Sequence, residues 1–117
     1  MQRSALAYLA DVVEACDAIQ DVLSGVDLDA YMKSRAIRSS VEREFITIGE
    51  AVGTIGRTDP ALFEEITDAR MIVGLRNLLT HDYAAIDDES VYGVAELDLP
   101  VLRGECAILL KRMGAAD

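Results

Sequence analysis

The residues of this chain best suited to chemistry lie within one short stretch, positions 74–83. The stretch presents a guanidinium, an amide, a hydroxyl, a phenol and the only imidazole of the chain, from Arg76, Asn77, Thr80, Tyr83 and His81. An arginine pairs with phosphate oxygens, and a histidine exchanges protons near neutral pH. Such a set fits metal-free cleavage of RNA by attack of a 2′-hydroxyl, which needs a general base, a general acid and a cation beside the phosphoryl oxygens.

The spacing of the arginine and the histidine limits how they can work together. Arg76 and His81 are five positions apart, which is about 140° around a regular helix. Two arrangements bring both to one phosphate: the helix ends or distorts near Thr80, or two copies of the helix meet across a two-fold dimer. The dimer also provides two histidines, one for each proton transfer. Both arrangements stay open on spacing alone, as does the plain alternative of an amphipathic helix whose polar residues carry no chemistry.

The composition places these residues on a helical scaffold. The chain has 117 residues, which is enough for one domain with one hydrophobic core. Half of the residues are hydrophobic, tryptophan is absent and only two prolines occur. This profile predicts an all-α fold, an antiparallel bundle of four main helices with short extra helices.

Periodic apolar residues and capping signals divide the chain into helices. We expect main helices at 4–23, at 33 to 53 or 55, at 68 to 81 or 83, and at 89–113, with short pieces near 27–32 and 59–66. Positions 56–58 are predicted to break the chain, and Pro100 to kink the last helix near Leu99. Gly49 lies inside a predicted helix, which indicates close packing of another backbone there.

The charge balance excludes some functions and leaves others open. A formal net charge of −10 argues against broad nonspecific binding to nucleic acid, and no DNA partner is expected. A basic strip with Lys33, Arg35 and Arg38 is possible on the acidic body, although a solvated helix face explains it equally well.

No metal or other cofactor is predicted. One histidine and two isolated cysteines cannot form a metal-binding set, and Cys16 and Cys106 fit reduced, buried thiols. Asp11 and Glu14 interrupt the first apolar run, and no stretch is long enough to span a membrane. We therefore expect a cytoplasmic protein without a membrane partner.

The motifs around His81 occur in an ordered series. Arg76 to Tyr83 reads arginine, four residues, histidine, one residue, tyrosine. An Ile-Gly-Glu-Ala segment that includes Glu50 precedes it, and an Asp-Leu-Pro segment that includes Pro100 follows it. In this order over about residues 4 to 112, the chain resembles the HepT family, the toxin branch of the HEPN superfamily. It departs from many relatives at 67–70, where they carry Pro-Trp, and at Tyr92, where they often carry tryptophan.

The resemblance implies one HepT-like domain over residues 1–117, assembled as a homodimer. It also implies a metal-independent ribonuclease toxin that acts on tRNA or mRNA and is encoded beside an MNT-type nucleotidyltransferase antitoxin. Arg76 and His81 match the family's catalytic pair, with Asn77, Thr80 and Glu50 as supporting residues. The antitoxin would adenylylate the family tyrosine, which falls on Tyr83. The alternative is a catalytically inactive helical module that presents this face to a nucleotidyltransferase.

Overall fold

A computed structural model describes residues 3–115, and its regular elements are all helical, which confirms the predicted all-α bundle. Seven α-helices follow one another in the described chain: α1 Ala5–Val22, α2 Leu28–Lys33, α3 Arg35–Thr58, α4 Pro60–Glu64, α5 Ala69–His81, α6 Asp88–Leu97 and α7 Leu99–Ala115. A single 3₁₀ turn, Tyr83–Ala85, connects α5 to α6.

The helix starts follow their capping residues. The hydroxyl of Ser4 accepts a hydrogen bond from the Ala7 amide at 3.2 Å, and the carboxylate of Asp27 accepts one from Ala30 at 2.8 Å. Ser34 and Asp59 cap α3 and α4 in the same way. Because Ser34 is the cap, α3 begins at Arg35, two residues later than predicted.

The predicted break at 56–58 is wrong, since α3 continues to Thr58. A Cβ added at Gly56 would lie 2.8 Å from a ring carbon of Phe63. This glycine therefore makes room for the phenyl ring of α4 against the side of α3, and the helix passes through it without ending. The extension adds Arg57 to the helical part of the chain.

The last predicted helix is two helices. α6 ends at Leu97 and α7 begins at Leu99, so the chain is interrupted at Asp98 and not merely kinked. Pro100 has no N–H group to donate to the carbonyl one turn before it, so a helix cannot continue regularly through it. It lies in the first turn of α7, where N–H groups have no acceptor within the helix, and proline is tolerated there.

The core forms around α3, which packs against α1 on one side and α5 on the other, while α7 packs on α1. The fully buried side chains include members of every predicted main helix: Leu9, Ile19, Val41, Phe45, Ile48, Ile72, Leu99 and Leu102. Cys16 and Cys106 are buried and unpaired, as predicted, and burial raises the pKa of each thiol to about 12. Across residues 3–115, helices that combine the length and the apolarity needed to cross a bilayer are absent.

Candidate active site

The site begins at the crossing of α3 and α5, where Gly49 faces Arg76. A Cβ added at Gly49 would lie 2.2 Å from Cβ of Arg76 and 3.1 Å from the carbonyl oxygen of Ile72. Only a residue without a side chain fits at this crossing. The close approach predicted for Gly49 is thus confirmed, and it fixes the stem of Arg76 directly against the backbone of α3.

The guanidinium of Arg76 is only partly satisfied. One terminal nitrogen donates to Oδ1 of Asn77 at 3.2 Å, and the other to Oε1 of Glu50 at 3.4 Å. The third donor, Nε, is buried and has no hydrogen-bond acceptor among the described residues. Because the pair with Glu50 is long and each terminal nitrogen has a second N–H group, the guanidinium retains capacity for an added anion.

Thr80 is directed to its own helix. Its hydroxyl donates to the carbonyl oxygen of Arg76 at 3.0 Å, a local bond that ties the last turn of α5 together. Among the predicted supporting residues, Asn77 and Glu50 contact the guanidinium itself, whereas Thr80 contacts the backbone beneath it.

His81 is the last residue of α5, and its side chain is exposed. The helix stays regular up to this residue, so the backbone places Arg76 and His81 about 140° apart around α5. His81 is not among the residues that line the cleft around the guanidinium. Within one chain, Arg76 and His81 therefore stay on different sides of α5.

Tyr83 lies in the 3₁₀ turn after α5, because the helix stops at His81 and the backbone of Asp82 is non-helical. The predicted helix from 68 to 81 or 83 therefore ends at the earlier of its two expected bounds. The hydroxyl of Tyr83 donates to Oε1 of Glu42 on α3, at 2.8 Å, while 57% of the residue stays exposed.

Glu42 is the residue that sequence reasoning missed. It is 6% exposed, and its second oxygen, Oε2, is buried without a hydrogen-bond donor among the described residues. Burial raises the pKa of its carboxyl group, and the bond to Glu42 raises the pKa of the Tyr83 phenol. A signal existed in the sequence: Glu42 stands three positions before the buried Phe45 and seven before Gly49, on the packed side of α3.

Two depressions flank α5. A cleft of about 270 Å³ lies on one flank and is lined by Gly49, Glu50, Thr54, Arg57, Val73, Arg76 and Asn77. A largely apolar groove of about 430 Å³ lies on the other flank, with Met71, Leu75, Leu78, Ile86 and Val94 among its lining residues. His81 ends the helix between these two flanks.

The described side chains provide no cluster of three histidine, cysteine, aspartate or glutamate residues arranged to hold a metal ion. The polar groups that the structure does assemble are the Arg76 cleft, with Glu50 and Asn77, and the bonded pair of Glu42 and Tyr83.

Known proteins with similar sequences cover almost the whole chain. The model of the family described as "Ribonuclease HepT-like" matches residues 12–108. A protein of Methanocaldococcus jannaschii provisionally named an RNase is 29% identical over 108 residues, 92% of this chain and 98% of its own length. A protein of Thermococcus cleftensis provisionally named ribonuclease HepT is 28% identical over 111 residues, 95% of this chain and 100% of its own length. No solved structure matches the chain. With a family model aligned to most of its length, the chain belongs to the HepT-like ribonuclease family.

Proposed function

We propose that this protein is a metal-independent endoribonuclease of the HEPN type, with Arg76 and His81 as its catalytic residues. The observation that carries the proposal is Arg76, whose stem is held at the α3–α5 crossing, whose terminal nitrogens keep uncommitted N–H groups, and which lines a cleft. A cation fixed in this way binds phosphoryl oxygens without a reorganisation cost. Membership of the HepT-like family adds RNA as the substrate class.

In the proposed reaction His81 removes the proton of a ribose 2′-hydroxyl, and O2′ attacks the adjacent phosphorus. The bond from phosphorus to O5′ breaks, and a second imidazole, protonated at the start, gives its proton to the leaving oxygen. Arg76 donates to the phosphoryl oxygens, whose negative charge grows in the transition state. The products are a 2′,3′-cyclic phosphate end and a free 5′-hydroxyl.

The proposed active form is a homodimer. His81 lies about 140° around α5 from Arg76, and α5 is helical through His81, so the two side chains leave the helix in different directions. A second copy supplies the missing imidazole. The apolar groove beside α5 and the partly exposed Leu78 support an interface on this helix, because apolar surface of this kind marks contact sites.

The proposed cellular role is that of a toxin in the cytoplasm, restrained by an MNT-type nucleotidyltransferase antitoxin. The antitoxin transfers AMP from ATP to Tyr83: Oη bonds to the α-phosphorus, pyrophosphate leaves, and the phenolic proton is released. The exposure of Tyr83 supports access by an enzyme. The adduct takes away the proton that Glu42 accepts and adds negative charge two residues from His81.

Induced expression in bacterial cells tests the toxin role. We expect wild-type protein to arrest growth and His81→Ala to permit it, because the variant lacks the proton-transfer group. His81 is exposed, so the variant folds with an unchanged thermal midpoint. Asp82→Asn, a change of the neighbouring exposed residue, serves as the matched control and stays toxic. Growth arrest by His81→Ala equal to that of the wild type contradicts the assignment.

Intact mass after incubation with the nucleotidyltransferase and ATP tests the modification. We expect a gain of adenylyl mass on the wild type and none on Tyr83→Phe.

One observation favours a second function, that of an inactive module that serves as the partner of the nucleotidyltransferase. In a single chain His81 is not among the residues that line the Arg76 cleft. That module would gain the same mass but would cleave no RNA.

A further inference from the structure

A second arginine shares the cleft of Arg76. Gly49, Gly53 and Arg57 follow one another along α3 at steps of four residues, so they lie on one row of the helix surface. A Cβ added at Gly53 would lie 3.6 Å from a terminal nitrogen of Arg57 and 3.9 Å from Val73 of α5. The side chain of Arg57 thus folds back over Gly53, as the stem of Arg76 lies over Gly49.

Arg57 is also one of the few basic residues without a carboxylate partner in the described part of the chain. Seven of the eleven basic residues form ion pairs within the described chain. The four outside these pairs are Arg35, Arg43, Arg57 and Lys111, and of these Arg57 alone lines the Arg76 cleft. The side-chain hydrogen bond it makes among the described residues goes to the Thr54 hydroxyl, at 2.9 Å, which leaves most of its donors unused.

The charge of the cleft depends on Arg57. Glu50 lines the same cleft, with its carboxylate 3.4 Å from the Arg76 guanidinium. Arg76 and Glu50 together cancel, so without Arg57 the cleft would be neutral on a protein whose net charge is −10. With Arg57 the cleft carries one net positive charge, which a polyanion needs in order to approach an acidic protein.

We infer that Arg57 binds the phosphate next to the scissile one on a single-stranded RNA, and so forms a second phosphate position in the cleft. Gly49 and Gly53 are separated by about 6 Å along the helix axis, comparable to the separation of neighbouring phosphates in one strand. The inference rests on the proposed function, in which Arg76 binds the scissile phosphate. Arg57 then acts in binding and register and takes no part in the proton transfers.

Binding of a non-cleavable RNA tests the inference apart from catalysis. The probe is a short single-stranded RNA of mixed sequence, 2′-O-methylated throughout, titrated with wild type, Arg57→Gln, Arg57→Lys and Arg43→Gln at several salt concentrations. We expect Arg57→Gln to weaken binding about tenfold and to reduce the slope of log affinity against log salt by about 0.7. Arg57→Lys keeps the slope, because it keeps the charge.

Arg43→Gln is the matched control, because it removes an equally unpaired charge from α3 about 21 Å away along the axis, and it is expected to bind nearly as the wild type. Equal losses in Arg57→Gln and Arg43→Gln, or wild-type affinity in Arg57→Gln, would overturn the inference. Cleavage of ordinary RNA in parallel separates the two claims. If the wild type cleaves RNA but Arg57→Gln binds as the wild type does, the inference alone is overturned. If binding depends on Arg57 but the wild type cleaves no RNA, the proposed catalysis is overturned and the second phosphate position is supported.

Discussion

Among single residues, the hydrogen bond between the exposed Tyr83 phenol and the buried Glu42 carboxylate is the most distinctive polar contact near the proposed site. A carboxylate with 6% exposure needs a donor, and the phenol provides it from a 3₁₀ turn that begins two residues after His81. Arg38 and Asp88, paired at 3.6 Å, are the other charged groups that act on Glu42. The bond therefore links the position of the segment after α5 to the interior of α3.

Removal of the phenolic donor tests this link. Tyr83→Phe leaves both carboxylate oxygens of Glu42 without a side-chain donor among the described residues, and we expect it to lower the free energy of unfolding by about 1–3 kcal/mol. The ring is more than half exposed, so little packing is lost with the hydroxyl. In the background of Glu42→Gln, Tyr83→Phe should lower the free energy of unfolding by less. A double-mutant cycle with urea unfolding measures this difference. Equal costs in both backgrounds would show that the two side chains do not interact.

The raised pKa of Glu42 predicts a pH dependence. Burial holds its pKa above the ordinary value of 4.5, so the folded chain binds this proton more tightly than the unfolded chain. Stability from this group is present below the ordinary value and is lost as the pH rises toward the folded pKa. The stability of Glu42→Gln relative to wild type should therefore increase with pH over that window and then level off. A difference that falls with pH, in urea unfolding from about pH 4 to about pH 7, would contradict the assignment.

At the scale of elements, the crossing of α3 and α5 positions the site. Substitution of two glycines by alanine tests this crossing, because one change is expected to lower the stability and the other to raise it. Gly49→Ala places a methyl group 2.2 Å from Cβ of Arg76 and forces the helices apart, with an expected loss of about 1–3 kcal/mol. Gly74→Ala on α5 meets nothing within 4 Å and should gain about 1 kcal/mol from helix propensity. Thermal unfolding compares the two variants. A Gly49→Ala variant as stable as Gly74→Ala would show that the close crossing is absent in solution.

The elements also show how far the sequence determines this fold. Apolar periodicity and caps were enough to predict α1, α3 and α5, which depend on local sequence, but not the interruption at Asp98 that divides the last predicted helix. The close approach at Gly49 could be predicted because a glycine inside a helix costs stability and indicates that another backbone packs there. The same reasoning misread Gly56 as a break, because its role depends on Phe63, a tertiary contact. Glu42 was missed for a similar reason: its partner Tyr83 is 41 positions away, and the turn that carries Tyr83 starts where α5 happens to stop.

At the scale of the whole molecule, the proposed mechanism requires two copies of the chain. His81 faces solvent at the end of α5, and the Arg76 cleft opens on a different side of that helix. Two proton transfers at one phosphate use a general base and a general acid, and each chain has one histidine for these roles. A two-fold interface near the end of α5 would bring two copies of His81 to one phosphate.

Mixed dimers test the need for two histidines. Wild type and His81→Ala are unfolded together, refolded at several ratios and assayed for RNA cleavage. If each site uses both copies of His81, activity per chain falls as the square of the wild-type fraction, so an equal mixture keeps a quarter of the activity. A linear fall, with half of the activity in the equal mixture, would show that one histidine suffices for each site.

RNA cleavage in excess EDTA tests whether Arg76 and His81 form a metal-independent nuclease site. Total tRNA and mRNA are incubated with wild type, His81→Ala and Asp82→Asn, and intact mass on the same samples verifies that Tyr83 is unmodified. We predict cleavage by wild type and Asp82→Asn, with cyclic phosphate ends, and no cleavage by His81→Ala. Cleavage that persists in His81→Ala, or wild-type cleavage that appears only when a divalent cation is added, would contradict a metal-independent mechanism through His81. No cleavage by unmodified wild type would instead support the inactive binding module.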